Sequence, residues 1–348
     1  MGPRVEAFER EFADFCGAAH AIAVANGTAA LHLALLAVGC EPGDEVVVPS
    51  LNFVAAANAI VNTGAVPAFC DIVGPEELNL DPEDVEAALS PRTKAVLTLH
   101  YAGFPCDMAA IRALAELRGL RIVEDAAHAP GAALNGRMCG TLGDVGCFSF
   151  FSNKNLPVGE GGMIVTDDDG LAEKLRLLRS HGMTTLTWDR HRGHASSYDV
   201  VLAGFNYRLD EVRAAIGLVQ LGRLREENAG RARIASRYRE GLDGEHGLSM
   251  PFGAARPERT PSHHLAVVLL PEGFDRDEVR AALAGRGIQT SVHYPPIHTF
   301  TQYRSGSRAL PRTDAIAPRL LTLPLYGRMT DEQVEAVVEA LLDAVQTL

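Results

Sequence analysis

Two hydrophobic patterns alternate along the first part of the chain. Short apolar runs, such as EVVVP at 45–49 and TKAVLTLH at 93–100, are typical of strands that are buried on both faces. Longer stretches with apolar residues at helical spacing accompany them, beginning with RVEAFEREFADFCG at 4–17. The alternation predicts an α/β fold of three layers, in which helices cover both faces of a mostly parallel central sheet.

The pattern changes near Arg208, where one long helical stretch replaces the alternation. Beyond that stretch come an apolar strand, HLAVVLL at 264–270, and a helical segment at 275–285. We therefore predict a large α/β domain at 1–225 and a smaller α+β domain at 226–348, joined through the long helix.

The charge balance and the cysteines exclude several classes of partner and compartment. The chain has 32 Lys and Arg against 44 Asp and Glu, a net charge of −12, and no basic block, so we expect no nucleic-acid partner. The six cysteines are scattered without a CxxC pair and no secretory signal opens the sequence, which indicates reduced thiols in a cytoplasmic protein. Polar residues interrupt the apolar stretch 21–39, so we expect no membrane span.

Two histidine pairs are the best candidates for metal ligands, His191 with His194 and His263 with His264. Neither pair has a third ligand at a convincing spacing, so we expect solvated or hydrogen-bonded histidines and no bound metal. The sequence also lacks a Walker-type GxxxxGK motif, a GxSxG motif and an HExxH motif. The corresponding nucleotide-binding, hydrolase and zinc-protease sites are therefore not predicted.

A possible phosphate site lies in ANGTAALHLAL, where Gly27 and Thr28 begin a helix. The first backbone N–H groups of a helix have no partner within it and lie at its positive end, so they attract a phosphate. A simple helix cap is the alternative, because most Gly-Thr helix starts are only caps.

A carboxylate and a lysine follow two of the predicted strands. Asp125 lies at the carboxyl end of the strand in LRIVEDAAHAPGA, where it either caps the next turn or pairs with a buried cation. Lys154 follows the apolar run GCFSFFSNK, just before a cluster of glycines. It is either a surface cation or an amine held ready to attack a carbonyl.

As a set, the motifs NGT, EDAAH, FSFFSNK and GEGG resemble those of one family. The chain is similar to the DegT/DnrJ/EryC1/StrS sugar aminotransferases, which depend on pyridoxal 5'-phosphate (PLP) and have the type I aspartate-aminotransferase fold. The resemblance covers nearly the whole chain and continues through PSLNFVAAANAIVNTGAVPAFCDI, GFNYRLDEVRAAIGLVQL and GIQTSVHYPPIH.

The resemblance implies roles for single residues in binding PLP. Lys154 would form the Schiff base with the coenzyme, and Asp125 would keep the proton on its pyridinium nitrogen. Phe53 matches an aromatic residue stacked on the coenzyme ring, with core packing as its alternative, and His128 would lie near the phenolic oxygen. The remaining implied contacts are those of Gly27, Thr28, Ala29 and Ser149 with the phosphate, and that of Asn206 with the phosphate of the partner subunit in a homodimer.

The resemblance also implies the reaction. L-Glutamate or glutamine would donate an amino group to a keto-sugar, which we expect to be nucleotide-linked, for example an NDP-4-keto- or 3-keto-6-deoxyhexose. The product would serve amino-sugar biosynthesis for a natural product or a surface glycan. The implied substrate contacts are Arg190, Arg192, His293 and Tyr294, and a solvated charged loop is the alternative for each of the two arginines.

Other readings remain open at this point. A carbocyclic ketone such as scyllo-inosose is an alternative acceptor, and a non-catalytic sensor or regulator is an alternative of another class. Family members usually carry a segment upstream of the region that matches 2–12. Either the start is trimmed, or part of the substrate pocket is missing or built differently. The sequence leaves the acceptor, the aminated carbon and the nucleotide carrier undetermined.

Overall fold

The structure is a computed structural model that describes residues 1–184, 197–254, 256–305 and 307–348. Its helices are α1 (Pro3–Cys16), α2 (Gly27–Ala37), α3 (Ala55–Asn62), α4 (Pro82–Ala87), α5 (Met108–Arg118), α6 (Asp169–Arg179), α7 (Glu211–Leu242), α8 (Arg276–Gly285), α9 (Pro311–Ile316) and α10 (Asp331–Thr347). Its strands are β1 (His20–Val24), β2 (Glu45–Pro49), β3 (Val66–Cys70), β4 (Ile72–Gly74), β5 (Glu77–Leu80), β6 (Thr93–Leu99), β7 (Arg121–Asp125), β8 (Ala133–Leu134), β9 (Arg137–Met138), β10 (Val145–Ser149), β11 (Gly162–Thr166), β12 (Arg259–Thr260), β13 (Ala266–Leu269) and β14 (Leu320–Leu323). Among these described helices, none is long and apolar enough to cross a membrane.

The largest sheet of the described chain has seven strands in the order β1-β11-β10-β7-β6-β2-β3. Strands β10, β7, β6, β2 and β3 run parallel to one another, whereas β11 pairs antiparallel with both β1 and β10. Most residues of the parallel strands are buried, as their uninterrupted apolar runs indicate. The prediction of a mostly parallel α/β sheet is confirmed.

Helices cover this sheet on both faces. On one face, α1 and α7 pack over an aromatic cluster in which the rings of Phe12 and Phe148 lie 5.0 Å apart and those of Phe8 and Phe150 lie 5.3 Å apart. On the other face, α2, α3 and α6 bury aliphatic side chains. Burial of each large apolar side chain stabilises the fold by roughly 1.5–3 kcal/mol, so the amphipathic pattern of α1 is explained by core packing.

Helix α7 is unbroken over 32 residues and contacts both parts of the chain. Near its start, Gly217 lies so close to α1 that an added Cβ would be 2.6 Å from the ring of Phe8. Its later turns share a separate core with α8, α10 and the antiparallel pair of β13 and β14. The predicted domain boundary at residue 225 falls inside this helix and stays a prediction.

A buried carboxylate fixes the end of strand β7. Glu124 is fully buried. A buried carboxylate needs hydrogen-bond donors, and the neighbours of Glu124 supply them. Its two oxygens accept hydrogen bonds from His100 Nε2 at 2.8 Å and from the backbone N–H groups of Gly140, Leu142 and Gly143 at 2.6–2.8 Å. The next residue, Asp125, therefore emerges from a well-anchored strand at the carboxyl edge of the sheet.

Candidate active site

A cavity of about 410 Å³ opens at the carboxyl ends of β6, β7 and β10, beside the start of α2. Ligand sites of open α/β sheets usually occupy this edge. The predicted site residues that line the cavity are Gly27, Thr28, Phe53, Asp125, His128, Ser149, Lys154, His293 and Tyr294. Residues far apart in the sequence thus meet at one place.

Lys154 lies in the wall of this cavity, directly after the turn that follows β10. Its backbone N–H bonds to the carbonyl oxygen of Phe151 at 2.9 Å, which anchors the residue. Burial lowers the pKa of the amine from 10.5 to about 8, and the negative charge of Asp125 opposes this shift. The amine is therefore neutral in a useful fraction of molecules near neutral pH, unlike an ordinary surface lysine.

Asp125 is buried on the same side of the cavity, with 5% of its surface exposed. Its Oδ1 accepts a hydrogen bond from the N–H of Ala127 at 3.0 Å, so the predicted cap of the next turn is present. Burial raises the pKa of the carboxyl, while the Ala127 amide and the positive charges of Lys154 and His100 lower it. Because no described residue donates to Oδ2, this oxygen is available to a cationic N–H group in the cavity.

The start of α2 presents unpaired backbone N–H groups at the cavity, where they suit an anion. Asn26 caps the helix, with its Oδ1 accepting from the N–H of Ala29 at 2.8 Å. The N–H groups of Gly27 and Thr28 bond to no acceptor among the described residues, whereas that of Ala29 is already engaged. An added Cβ on Gly27 would lie 2.8 Å from the Cβ of Ser149, so the helix start packs directly against that side chain.

Phe53 is not a core residue. Its side chain is 55% exposed, and its ring lies 5.7 Å from that of Tyr294 across the cavity. An aromatic ring that stays uncovered inside a cavity can stack on a planar ligand. The structure therefore removes core packing as the explanation of Phe53.

His128 and Tyr294 are joined by a hydrogen bond of 2.7 Å between Nε2 and Oη. Burial lowers the pKa of His128 well below its usual value, and the charge of Lys154 and the neighbouring imidazoles of His264 and His293 act in the same direction. His293, whose pKa burial lowers to about 4, contacts Thr322 through Nδ1 at 3.0 Å. The imidazoles beside Lys154 are therefore neutral and serve as hydrogen-bonding groups.

Asn52 is a cavity residue that the sequence reasoning missed. It is 1% exposed, and its Oδ1 accepts from the N–H of Phe53 at 2.6 Å, which fixes the orientation of the carboxamide. Its Nδ2 has no partner among the described residues although it is buried. A buried donor without an acceptor destabilises the protein unless a ligand oxygen accepts its hydrogen bond. A polar residue three positions after the apolar strand β2 was the signal that could have revealed it.

Other predicted residues lie elsewhere. Asn206 is exposed, pairs through its backbone with Ser180, and does not line this cavity. The predicted substrate residues Arg190 and Arg192, like the histidines at 191 and 194, lie outside the described residues. In the described part of the chain, no group of three metal-binding side chains could hold an ion.

These features fit PLP. The seat at Gly27, Thr28 and Ser149 suits a phosphate, Phe53 suits the face of a planar ring, and the free oxygen of Asp125 suits a ring N–H. Lys154 supplies an amine for the aldehyde, and the unpaired amide group of Asn52 suits an oxygen atom of the coenzyme or substrate. His128 adds a ring nitrogen, Nδ1, that has no partner among the described residues.

Comparison with known proteins supports this interpretation. The model of the DegT/DnrJ/EryC1/StrS aminotransferase family matches residues 1–342. The spore coat polysaccharide biosynthesis protein SpsC of Bacillus subtilis (strain 168) is 43% identical, over 99% of this chain and 90% of its own. The crystal structure of DesI in the presence of its TDP-sugar product is 35% identical, with a TM-score of 0.88 over 99% of this chain and 85% of that chain. The PMP form of Spr1654 from Streptococcus pneumoniae is 26% identical, with a TM-score of 0.92 over 100% of this chain and 93% of that chain.

Proposed function

The chain belongs to the DegT/DnrJ/EryC1/StrS aminotransferase family, and we propose that it transfers an amino group from L-glutamate or L-glutamine to the keto group of a nucleotide-linked sugar. It is a PLP-dependent aminotransferase. The observation that carries the proposal is the position of Lys154, an amine of lowered pKa that shares one cavity with Asp125.

The residues of the cavity have separate roles in the proposed reaction. Bound PLP supplies an electron-withdrawing ring that stabilises negative charge at the substrate carbon as its proton leaves. Lys154 Nζ is neutral once it has released its own proton. It would then accept the proton from the substrate carbon and return it at the neighbouring carbon. Asp125 keeps the ring nitrogen protonated, because a buried carboxylate stabilises a positive charge beside it. The free amides of Gly27 and Thr28 would hold the phosphate, and Phe53 would contact the coenzyme ring.

The proposed acceptor is a keto-6-deoxyhexose carried by a nucleoside diphosphate. The name of SpsC connects that relative with a coat polysaccharide, and DesI was crystallised with a TDP-sugar as its product. Both names indicate chemistry on sugars rather than on free amino acids. The product of this chain would then be an amino sugar for a surface glycan or a natural product.

We also propose that two copies of the chain share their active sites. Asn206 is exposed just before α7, and the first turns of α7 present Val212, Ile216 and Val219 to solvent at helical spacing, with exposures of 71%, 42% and 57%. An apolar stripe of this kind on a soluble enzyme favours burial by a partner. A second copy seated there would bring Asn206 to the phosphate of its neighbour.

A half-reaction screen tests the acceptor. The enzyme is converted to its PMP form with L-glutamate, the donor is removed, and single ketones are added while the absorbance of the PLP form is followed. We expect TDP- or UDP-linked keto-6-deoxyhexoses to restore it, with scyllo-inosose and 2-oxoglutarate as comparison ketones. Faster recovery with scyllo-inosose than with every nucleotide-linked sugar would contradict the proposed acceptor.

The Lys154→Ala variant tests the catalytic assignment itself. We expect no turnover and no borohydride-stable attachment of PLP, because the amine that attacks the aldehyde is gone. The exposed Lys94, changed to alanine, is the matched control and should leave both measurements unchanged. Turnover at the wild-type rate in Lys154→Ala would refute the assignment.

A further inference from the structure

The hydrogen bond between His128 and Tyr294 joins two segments that are 166 residues apart, one from each predicted domain. We propose that Tyr294 is a positioning residue that fixes the tautomer of His128, so that His128 presents Nδ1–H to an oxygen of the bound coenzyme. The inference rests on the proposed function for the identity of the coenzyme. The tautomer itself is a property of the protein alone.

The direction of the hydrogen bond follows from the surroundings of Tyr294. A neutral phenol has one hydrogen to donate, and no described residue other than His128 accepts from Tyr294 Oη. If His128 donated instead, two groups would lack a partner among the described residues, namely the phenol hydrogen of Tyr294 and the buried lone pair of His128 Nδ1. Tyr294 therefore donates to Nε2, and the ring proton of the neutral imidazole resides on Nδ1.

The other ring nitrogen then becomes a donor without a partner. His128 is 2% exposed, and its Nδ1 bonds to no described residue. The nearest imidazole, that of His264, lies 4.4 Å away between ring centroids and is committed elsewhere, since its Nδ1 bonds to Asn155 Oδ1 at 2.9 Å. The Asn155 amide is itself oriented by donation to the Ser262 carbonyl at 2.8 Å.

An oxygen acceptor of the coenzyme would complete the unpaired N–H group. The phenolic oxygen of PLP is negatively charged when its ring is conjugated with the lysine, and a donated hydrogen bond stabilises that charge. The pKa of His128 is lowered mainly by burial, and the charge of Lys154 and the neighbouring imidazoles of His264 and His293 act in the same direction. The ring therefore donates as a neutral group and adds no positive charge beside the amine of Lys154.

The segment that carries Tyr294 is held in place independently of His128. The hydroxyl of Tyr101, a fully buried residue, donates to the carbonyl oxygen of His293, the residue before Tyr294. The rings of His128 and Tyr294 are nearly parallel, with an interplanar angle of 27°. The segment that carries Tyr294 thus sets which nitrogen of His128 carries the proton.

The test reads the tautomer directly in the protein without coenzyme. Histidines are labelled with ¹⁵N, long-range ¹H–¹⁵N correlations distinguish Nδ1–H from Nε2–H, and His128→Gln identifies the signals of His128 by their loss. We expect the Nδ1–H form in the wild type and a shift toward Nε2–H in Tyr294→Phe. The Tyr303→Phe variant, which removes a hydroxyl bonded to Asn58 on α3, is the matched control and should leave His128 unchanged.

Enzyme with bound PLP supplies the second readout. In Tyr294→Phe we expect a rise in the pKa at which the coenzyme's visible absorbance changes. We also expect kcat to fall about tenfold, which corresponds to the loss of one hydrogen bond, while KM for L-glutamate stays within about twofold of the wild type. An Nε2–H wild type, or a Tyr294→Phe variant with an unchanged tautomer, overturns the inference. Failure to take up PLP would instead count against the proposed function, and the NMR measurement would still decide the role of Tyr294.

Discussion

Burial and a neighbouring carboxylate act in opposite directions on the amine of Lys154. Burial favours the neutral amine, while Asp125 favours the ammonium form. Burial also raises the pKa of Asp125, and the positive charge of Lys154 lowers it. Burial has the larger effect at both residues, so the pKa of Lys154 is lowered and the pKa of Asp125 is raised. Opposed shifts of this kind are frequent in active sites.

The lowered pKa of Lys154 predicts how its reactivity depends on pH. A lysine attacks a carbonyl only when it is neutral, so its rate of reductive labelling by butanal should rise with pH and level off above about 8. Exposed lysines titrate near about 10.4, and their labelling should still rise at pH 9. Peptide mass spectrometry of coenzyme-free protein compares Lys154 with the exposed Lys94. Parallel pH profiles for the two lysines would show that the cavity does not activate Lys154.

Removing the Asp125 carboxylate should slow the reaction rather than prevent binding. If the charge on the ring nitrogen supplies about 3 kcal/mol of transition-state stabilisation, Asp125→Ala should lower kcat roughly a hundredfold. Asp107→Ala is the comparison variant, since it removes a carboxylate that caps α5 and does not line the cavity. Steady-state kinetics measure both, and equal kcat values for the two variants would count against the role of Asp125.

Among the secondary-structure elements, the start of α2 contributes backbone rather than side chains to the site. Its position depends on the close contact of Gly27 with Ser149 and on the Asn26 cap. This contact explains why a residue without a Cβ begins the helix at this point. The free amides then lie next to Ser149 at the end of β10.

Gly27→Ala should weaken the binding of the phosphate. The new Cβ would force the helix start away from Ser149, and we expect about a tenfold loss in PLP affinity, or about 1.4 kcal/mol. Pyridoxal, which lacks the phosphate, should bind equally to variant and wild type in a fluorescence titration. Gly222→Ala, at a helical glycine with open space around it, is the matched control. An equal loss of affinity for PLP and for pyridoxal would show that Gly27→Ala disturbs a part of the cavity other than the phosphate site.

The elements were predictable from the sequence because their signals are local. Apolar runs place the strands, and Asp125 and Lys154 follow two of them, so their approach to one cavity could be expected. Asn52 was missed, because its importance depends on an amide that the folded loop leaves without a partner. The contact of His128 with Tyr294 was also beyond reach, since it requires the packing of two segments that no sequence pattern connects.

At the scale of the whole molecule, the proposed homodimer depends on the apolar stripe of α7. Val219→Glu would place a charge within that stripe, and we expect the dimer to dissociate in sedimentation-velocity measurements. Leu117→Glu is the matched control, because Leu117 is 76% exposed on α5 and lies outside the stripe. An unchanged dimer in Val219→Glu would place the subunit contact elsewhere.

Shared sites can be tested by mixing two inactive variants. Lys154→Ala lacks the amine, and Asn206→Ala lacks the side chain that is proposed to reach the neighbouring subunit. A mixed dimer contains one site with both residues intact, so activity should return after the two variants are unfolded and refolded together. Refolding each variant alone is the control, and a mixture as inactive as its components would indicate that each copy works by itself.

Helix α7 extends for about 48 Å, the length of 32 residues at the usual rise per residue. One end carries the stripe proposed to meet a second copy, and the other end lies in the separate core that it shares with α8 and α10. Because α7 is continuous, its two ends move together when the helix tilts. Any hinge between these regions therefore has to lie in the non-helical connections. Association of two copies would then change the angle at which the segment that carries Tyr294 approaches Lys154.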